Sequence, residues 1–237
     1  MKQFLLKFDD DDKFLGELNR IKTFCDENKH GEVSFFITWT TDSKNTLGKV
    51  TEKIEQVFPD SFYYGNECSG SISNARLFFG ISVLCTILED STSKMDFLWV
   101  DSNSDDGPRS LEDIWKICKS KENLKAVKLI PSTLYLDSLN IDKSPLDLSE
   151  DVLVFGGASC NTDDPTITSY VMGKGHGVTL EGMVVILYRG KNLNVEERHF
   201  IGWKGVGMHM TVTQSEGKVI EKIDDVNESI IISSNVK

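Results

Sequence analysis

Two stretches about ninety residues apart share one pattern, and that pattern narrows the folds open to the chain. In the first, an aromatic run ends on Gly65, turns through the small polar loop "GNECSGSIS" (65–73), which carries Cys68, and continues into "LFFGISVLCTIL". In the second, an apolar run ends on Gly156 and Gly157, turns through "GGASCNTDD" (156–164), which carries Cys160, and continues through "SYVMG" into "LEGMVVILY". A glycine-ended strand, a cysteine-bearing loop and then antiparallel strands, met twice, read as a degenerate internal duplication. The pattern predicts one domain over 1–237 made of two pseudo-equivalent halves, 1–120 and 121–237.

Residue periodicity fills in the elements. Segments 2–8, 32–41 and 61–67 are apolar, β-branched or aromatic and read as strands. Between them, 13–30 places Phe14, Leu15, Leu18, Ile21 and Phe24 at helical spacing. Likewise 43–59 aligns Leu47, Val50, Ile54 and Phe58 on one face and stops at Pro59. Strand, helix, strand, helix, strand implies βαβ crossovers and partly parallel pairing. The strands at 71–90 and 95–101 have no helical spacer, so antiparallel pairing is expected. A short helix at 110–120 carries Ser110 as N-cap and Glu112 and Asp113 in its first turn. Further on, 125–136 reads as a strand and its exit, and 144–151 as a turn or short helix. Strands are expected at 152–160, 168–173, 183–190, 194–203, 208–217 and 218–224. The expected fold class is α/β: layered mixed sheets with flanking helices, in two pseudo-repeated βαβ-plus-hairpin halves.

Composition removes several function classes. The net charge of the 237 residues is −11, and the densest basic stretch, 119–128, is broken by Glu122. Nucleic acid and anionic membrane surfaces call for clustered lysine and arginine, so neither is an expected partner. The acidic run at 9–13 reads as a solvated helix start. The five cysteines form no Cys-x-x-Cys pair, no signal-peptide pattern opens the chain, and no apolar run reaches membrane-spanning length. A cytoplasmic location with free thiols is the expectation.

The chemistry is then read from the two loops. A cysteine nucleophile needs a base. None of His30, His176, His199 or His209 is tied to Cys68 by a local signature, so Cys68 reads as a pocket wall rather than a nucleophile. Glycines at strand ends let backbone amides approach an anion such as an amino-acid carboxylate, or they serve only tight turns. Ser69, Ser71, Ser159 and Asn161 could add donors, and Glu67, Asp163 or Asp164 could meet an ammonium. The glycine-rich 173–182 reads as a hairpin connection with His176 exposed at its tip, not as a phosphate cradle. No metal-ligand spacing occurs, and 101–107 lacks the glutamate that would close a calcium loop. Haem would need an axial histidine, and His199, on one strand face with Ile201 and Trp203, and His209 are the candidates.

An ordered set of motifs resembles a known family. "GNECSG" comes first, although two extra residues separate Gly65 from Cys68. Gly156, Gly157 and Ala158 follow, with Asp163 or Asp164 nearby. Gly202, Trp203, Gly207, Thr211, Val212 and Thr213 come next, and "VIEKID" closes the set. This succession resembles the N-terminal FIST domain, named for F-box and intracellular signal transduction proteins. The resemblance implies a bacterial sensory domain, not an enzyme, that binds a small molecule, with amino acids as candidates. It implies as partners the family's C-terminal half and an output domain such as a diguanylate cyclase, chemoreceptor or kinase. The ligand set implied is Gly65, Glu67, Cys68, Ser69, Gly156, Gly157, Ala158, Ser159, Asp163 and Trp203, with no cofactor. The alternatives are a haem-based nitric oxide sensor using His199 or His209, and a cysteine-dependent enzyme.

Overall fold

The computed structural model describes residues 1–28, 31–73, 76–101, 108, 110–138, 148–160, 169–196, 198, 209–216 and 219–227. Their fold is mixed α/β with layered sheets, as the sequence predicts. Contacts divide the chain into two units, Met1–Glu197 and Arg198–Lys237.

In the first unit, the element order runs twice. The first pass is β1 (Lys2–Phe8), α1 (Asp11–Asn28), β2 (Val33–Trp39), α2 (Leu47–Val57) after a 3-10 turn at Thr41–Thr46, β3 (Phe62–Glu67), the hairpin β4 (Ser71–Ser73) and β5 (Arg76–Phe78), then β6 (Ile81–Ile87). The second is β7 (Lys94–Val100), α3 (Leu111–Lys119), β8 (Leu124–Pro131), α4 (Thr133–Ser138), β9 (Leu153–Gly156), the hairpin β10 (Val171–Gly173) and β11 (Gly177–Thr179), then β12 (Met183–Arg189). Sheet topology repeats with it. One sheet contains β1-β6-β2-β3 and the other is β7-β12-β8-β9. In both, the third and fourth strands pair parallel and the others antiparallel. The seam of this repeat lies at 88–93. The halves read from the sequence, 1–120 and 121–237, instead place β7 and α3 with the first half.

Alternation along the strands builds four layers. Phe35, Ile37, Trp39, Val83 and Cys85 point to one side of the first sheet and pack with Phe14, Leu18 and Ile21 of α1 and Val50 and Ile54 of α2. Val127, Met183, Val185 and Leu187 do the same in the second sheet against Ile114, Trp115 and Cys118 of α3. The opposite faces meet each other through Tyr64, Leu88, Met95, Ile130, Val184 and Ile186, with Phe36, Phe97 and Tyr188 packed around them. Each repeat's first helix is capped alike. The Lys13 amide donates to Asp10 Oδ1 at 2.9 Å, and the Asp113 amide to Ser110 Oγ at 3.2 Å.

The two glycines do the same work in both sheets. Gly65 lies opposite Ile37, and Gly156 opposite Leu129. A Cβ would fall 2.0 Å from the Ile37 carbonyl oxygen at the first and 1.9 Å from that of Leu129 at the second, so only glycine fits. Superposing the repeats on these glycines makes Phe36 the counterpart of Lys128, Tyr64 of Phe155, and Ser69 of Cys160.

The hairpins differ. β10–β11 crosses to the first sheet and pairs antiparallel with β3, as its fifth and sixth strands. Among the described residues, β4–β5 stands as a sheet of its own, and β9 is the last strand of its sheet. In the second unit, β13 (Val212–Glu216), β14 (Val219–Ile223) and β15 (Val226–Asn227) form an antiparallel meander. Asp224 and Asp225, with φ of 50° and 62°, make the two-residue turn between its last strands. The strand expected at 194–203 falls mostly outside the described residues.

Candidate functional site

The two cysteine loops, separated by ninety residues of chain, touch. The Cys160 amide donates to the Glu67 carbonyl at 3.1 Å, and Ser69 Oγ lies 3.5 Å from Cys160 Sγ. The sequence-predicted residues Gly65, Glu67, Cys68, Ser69, Gly156, Gly157, Ala158 and Ser159 all belong to these loops or to the strand ends that carry them. Their roles separate once burial is considered. Glu67 is fully buried, and both carboxylate oxygens are engaged: Oε1 accepts from the Thr41 hydroxyl at 2.8 Å and Oε2 from the Tyr170 amide at 3.2 Å. A buried carboxylate held this way ties the 3-10 turn, β3 and the approach to β10 into one knot. Ser159 is equally buried, accepting from Ser169 Oγ at 2.8 Å and donating to the Ser169 carbonyl at 3.2 Å. Cys68 and Ser69 are half-buried, while Cys160, Gly156 and Gly157 are exposed. Cys68 Sγ lies 3.8 Å from Ser71 Oγ, and no hydrogen bond among the described residues joins it to a histidine.

Asp163 and Trp203 lie outside the described residues, as do Asn161, Asp164 and His199. His209 is exposed. His176 is exposed as expected, in the turn of the β10–β11 hairpin, and stacks on Trp99 with ring centroids 4.8 Å apart. Among the described residues, no group of three or more histidine, cysteine or acidic side chains could hold a metal ion.

A cavity of about 560 Å³ opens between the two sheets. It sits toward the start of β1 and the end of β6, the other end of the first sheet from Cys68. Gln3, Leu84 and Thr86 line one side, and Tyr64, Phe155 and Tyr188 supply rings. Lys128, from the middle of β8, enters the same space. Its Nζ stands 3.9 Å from the centre of the Phe36 ring and 5.4 Å from that of Tyr64. No ion pair or hydrogen bond to Lys128 exists among the described residues, and burial pushes its ammonium down from 10.5 to about 8. Burial likewise raises the Tyr64 phenol well above its usual value, with the neighbouring Tyr188 hydroxyl adding to the effect. Glu89 and Asp90 line the rim, where Glu89 pairs with the Met1 ammonium and Asp90 accepts from Thr92 and Ser93.

A second depression, of about 570 Å³, lies near Phe62, Met95 and Phe97. There Lys22 is held by Asp26, and Glu32 by Lys94 and the Met95 amide. Of these two, the first combines a largely apolar wall with a cation that has no counter-charge among the described residues.

Sequence reasoning missed Lys128. It was counted in a broken basic stretch, yet strand alternation over 125–131 puts it on the same face as Ala126 and Ile130. That period was the available signal.

A family model described as the FIST N domain matches residues 33–226. No curated protein matches the chain.

Proposed function

Since the chain belongs to the FIST N domain family, a family of sensory domains in signal transduction, we propose that it senses a small molecule bound in the cavity between its two sheets. The observation that carries this reading is the Lys128 ammonium, without a counter-charge among the described residues, in a cavity of about 560 Å³, a volume suited to a metabolite-sized ligand. The domain has no chemistry of its own in this proposal. Occupancy is passed to partners outside the chain, namely the family's C-terminal half and an output domain. Filling a space between two packed sheets changes how they sit against each other, which is a means of transmission.

An alternative places the ligand at the seam of Cys68, Ser69, Ala158 and Cys160. The cavity is preferred because the strongest polar groups at the seam, Glu67 and Ser159, already have partners. Both readings meet one experiment. A thermal-shift screen of the whole chain against small metabolites, amino acids included, should raise the melting temperature for at least one compound. Leu84→Trp, which fills the cavity, should cancel that rise, while Cys68→Ala should leave it. A hit that survives Leu84→Trp and is lost in Cys68→Ala moves the site to the seam. A flat screen counts against both.

A further inference from the structure

The cavity's wall also specifies a chemical class, an inference that rests on the reading above. We propose that its ligand is an organic monocarboxylate with an apolar, preferentially aromatic body, its carboxylate paired with Lys128 and its body lying against Tyr64, Phe155 and Tyr188.

Each part of that description follows from a group in the wall. A half-buried ammonium set over the Phe36 ring and beside that of Tyr64 has lost part of its hydration, and a cation–π contact returns only some of it. An anion that reaches Nζ supplies the remainder, so a neutral ligand would leave the cation uncompensated. A phosphate or dianion fits less well. Such groups need several converging donors, commonly loop or helix-terminal amides. Here the neighbouring backbone amides of β8 belong to the ladders with β12 and β9. An amino acid brings a second charge. The acids at the rim, Glu89 and Asp90, have partners already, so an α-ammonium would be desolvated without a counter-charge. The rest of the wall is mostly aromatic or aliphatic and carries no further charge: Gln3 and Thr86 are bonded to each other at 3.2 Å, and Ser93, Asn192 and Asn194 add neutral polar groups.

The proton behaviour of Lys128 supports the assignment. Burial lowers its affinity for a proton, and no anion among the described residues offsets that loss. The groups that face it are the Phe36 ring from β2, Tyr64 from β3 and Tyr188 from β12, with Glu89 and Asp90 at the rim. None of these carries a negative charge next to Nζ. A bound carboxylate favours the ammonium form, so at pH 8 binding should draw in up to about half a proton.

Isothermal titration of the whole chain with 3-phenylpropanoate, 3-phenylpropanamide and phenylalanine tests the proposal. The acid should bind at least about ten-fold more tightly than the amide, a gap of about 1.4 kcal/mol. Phenylalanine should bind more weakly than the acid. The heat at pH 8 should vary with the ionisation enthalpy of the buffer, reporting proton uptake. Lys128→Met should abolish both the preference for the acid and the proton uptake, and Lys128→Arg should keep the preference. Equal binding of acid and amide overturns the carboxylate assignment but leaves the cavity as a site. Phenylalanine binding as tightly as the acid overturns the monocarboxylate class. Silence from all three compounds also overturns the class, and the metabolite screen with Leu84→Trp then decides separately whether the cavity binds anything.

Discussion

The two repeats of the first unit have the same strand order, the same capped first helix and the same collision-bound glycine, yet they bury their hairpins differently. Met172, the middle residue of β10, is 3% exposed because β10 found an edge, that of β3. Ile72, the middle residue of β4, is 79% exposed because β4 pairs, among the described residues, with β5 alone. Two apolar residues at matching places in matching hairpins thus differ by nearly the whole range of exposure. Burial here is decided by which sheet edge the hairpin can reach, and not by the residue. The link from β3 to β4 spans only 68–70, while that from β9 to β10 spans 157–170. A long link lets a hairpin cross to the other repeat's sheet, and a short one holds it beside its own.

The glycines give the harshest test of the equivalence. Gly65→Ala should cost roughly 4 kcal/mol or prevent folding, because its Cβ would enter the Ile37 carbonyl in a strand flanked on both sides. Gly156→Ala should cost measurably less, since among the described residues β9 has a ladder on one side only. Urea denaturation of both variants reads the difference, and equal losses would mean that the edge is as rigid as the interior.

Lys128 and Phe36 come next, as equivalent positions with opposite expected signs. Lys128→Met should stabilise the unliganded protein by up to about 3 kcal/mol at pH 7. The sign follows from the depressed ammonium. The charge is disfavoured in the fold throughout the range below pH 8, and that penalty fades as pH rises towards 10.5, where the unfolded lysine also loses its proton. The gap between variant and parent should therefore be full at pH 7 and small at pH 10.5. Phe36→Met should instead lower stability by about 1 kcal/mol, with little pH dependence. A gap at Lys128 that does not change with pH would show that its ammonium is well solvated.

Smaller effects refine the hairpin contrast. Met172→Ser should lose about 2–3 kcal/mol and Ile72→Ser stay within about 0.5 kcal/mol, read by thermal melting. A large loss at Ile72 would reveal that its face is covered in solution. Asp10→Ala and Ser110→Ala should each remove about 1 kcal/mol, because both delete the same kind of cap at the head of equivalent helices. Unequal losses would separate the two helices energetically.

Much of the architecture was legible in the sequence, for local reasons. The apolar spacing of Phe14, Leu18 and Ile21, the Ser110 cap and the alternation in 183–190 each fix an element without reference to distant residues. The echo of the cysteine loops was also legible, and those loops do meet. The seam was misplaced because β7 and α3 follow β6 without a break in composition. What assigns β7 to the second repeat is its ladder with β12, over eighty residues away. Glu67 looked like a ligand group because nothing in its neighbours foretold that Thr41 and the Tyr170 amide would take up its oxygens. The cavity was invisible for a related reason: its walls come from six strands, and the significance of its lysine rests on what that lysine faces.

The contact between Phe36 and Lys128 has a consequence for symmetry. These are counterparts in the two repeats, and they touch each other, as do Ser69 and Cys160. Contacts between counterparts occur where a pseudo-twofold axis passes. In a dimer of two identical chains, a residue beside such an axis meets its own copy, lysine against lysine or ring against ring. Joining the repeats in one polypeptide lifts that restriction. The same spot can then hold a charge on one side and a ring on the other, and the chamber beside it acquires a direction, with a charged end and a greasy end.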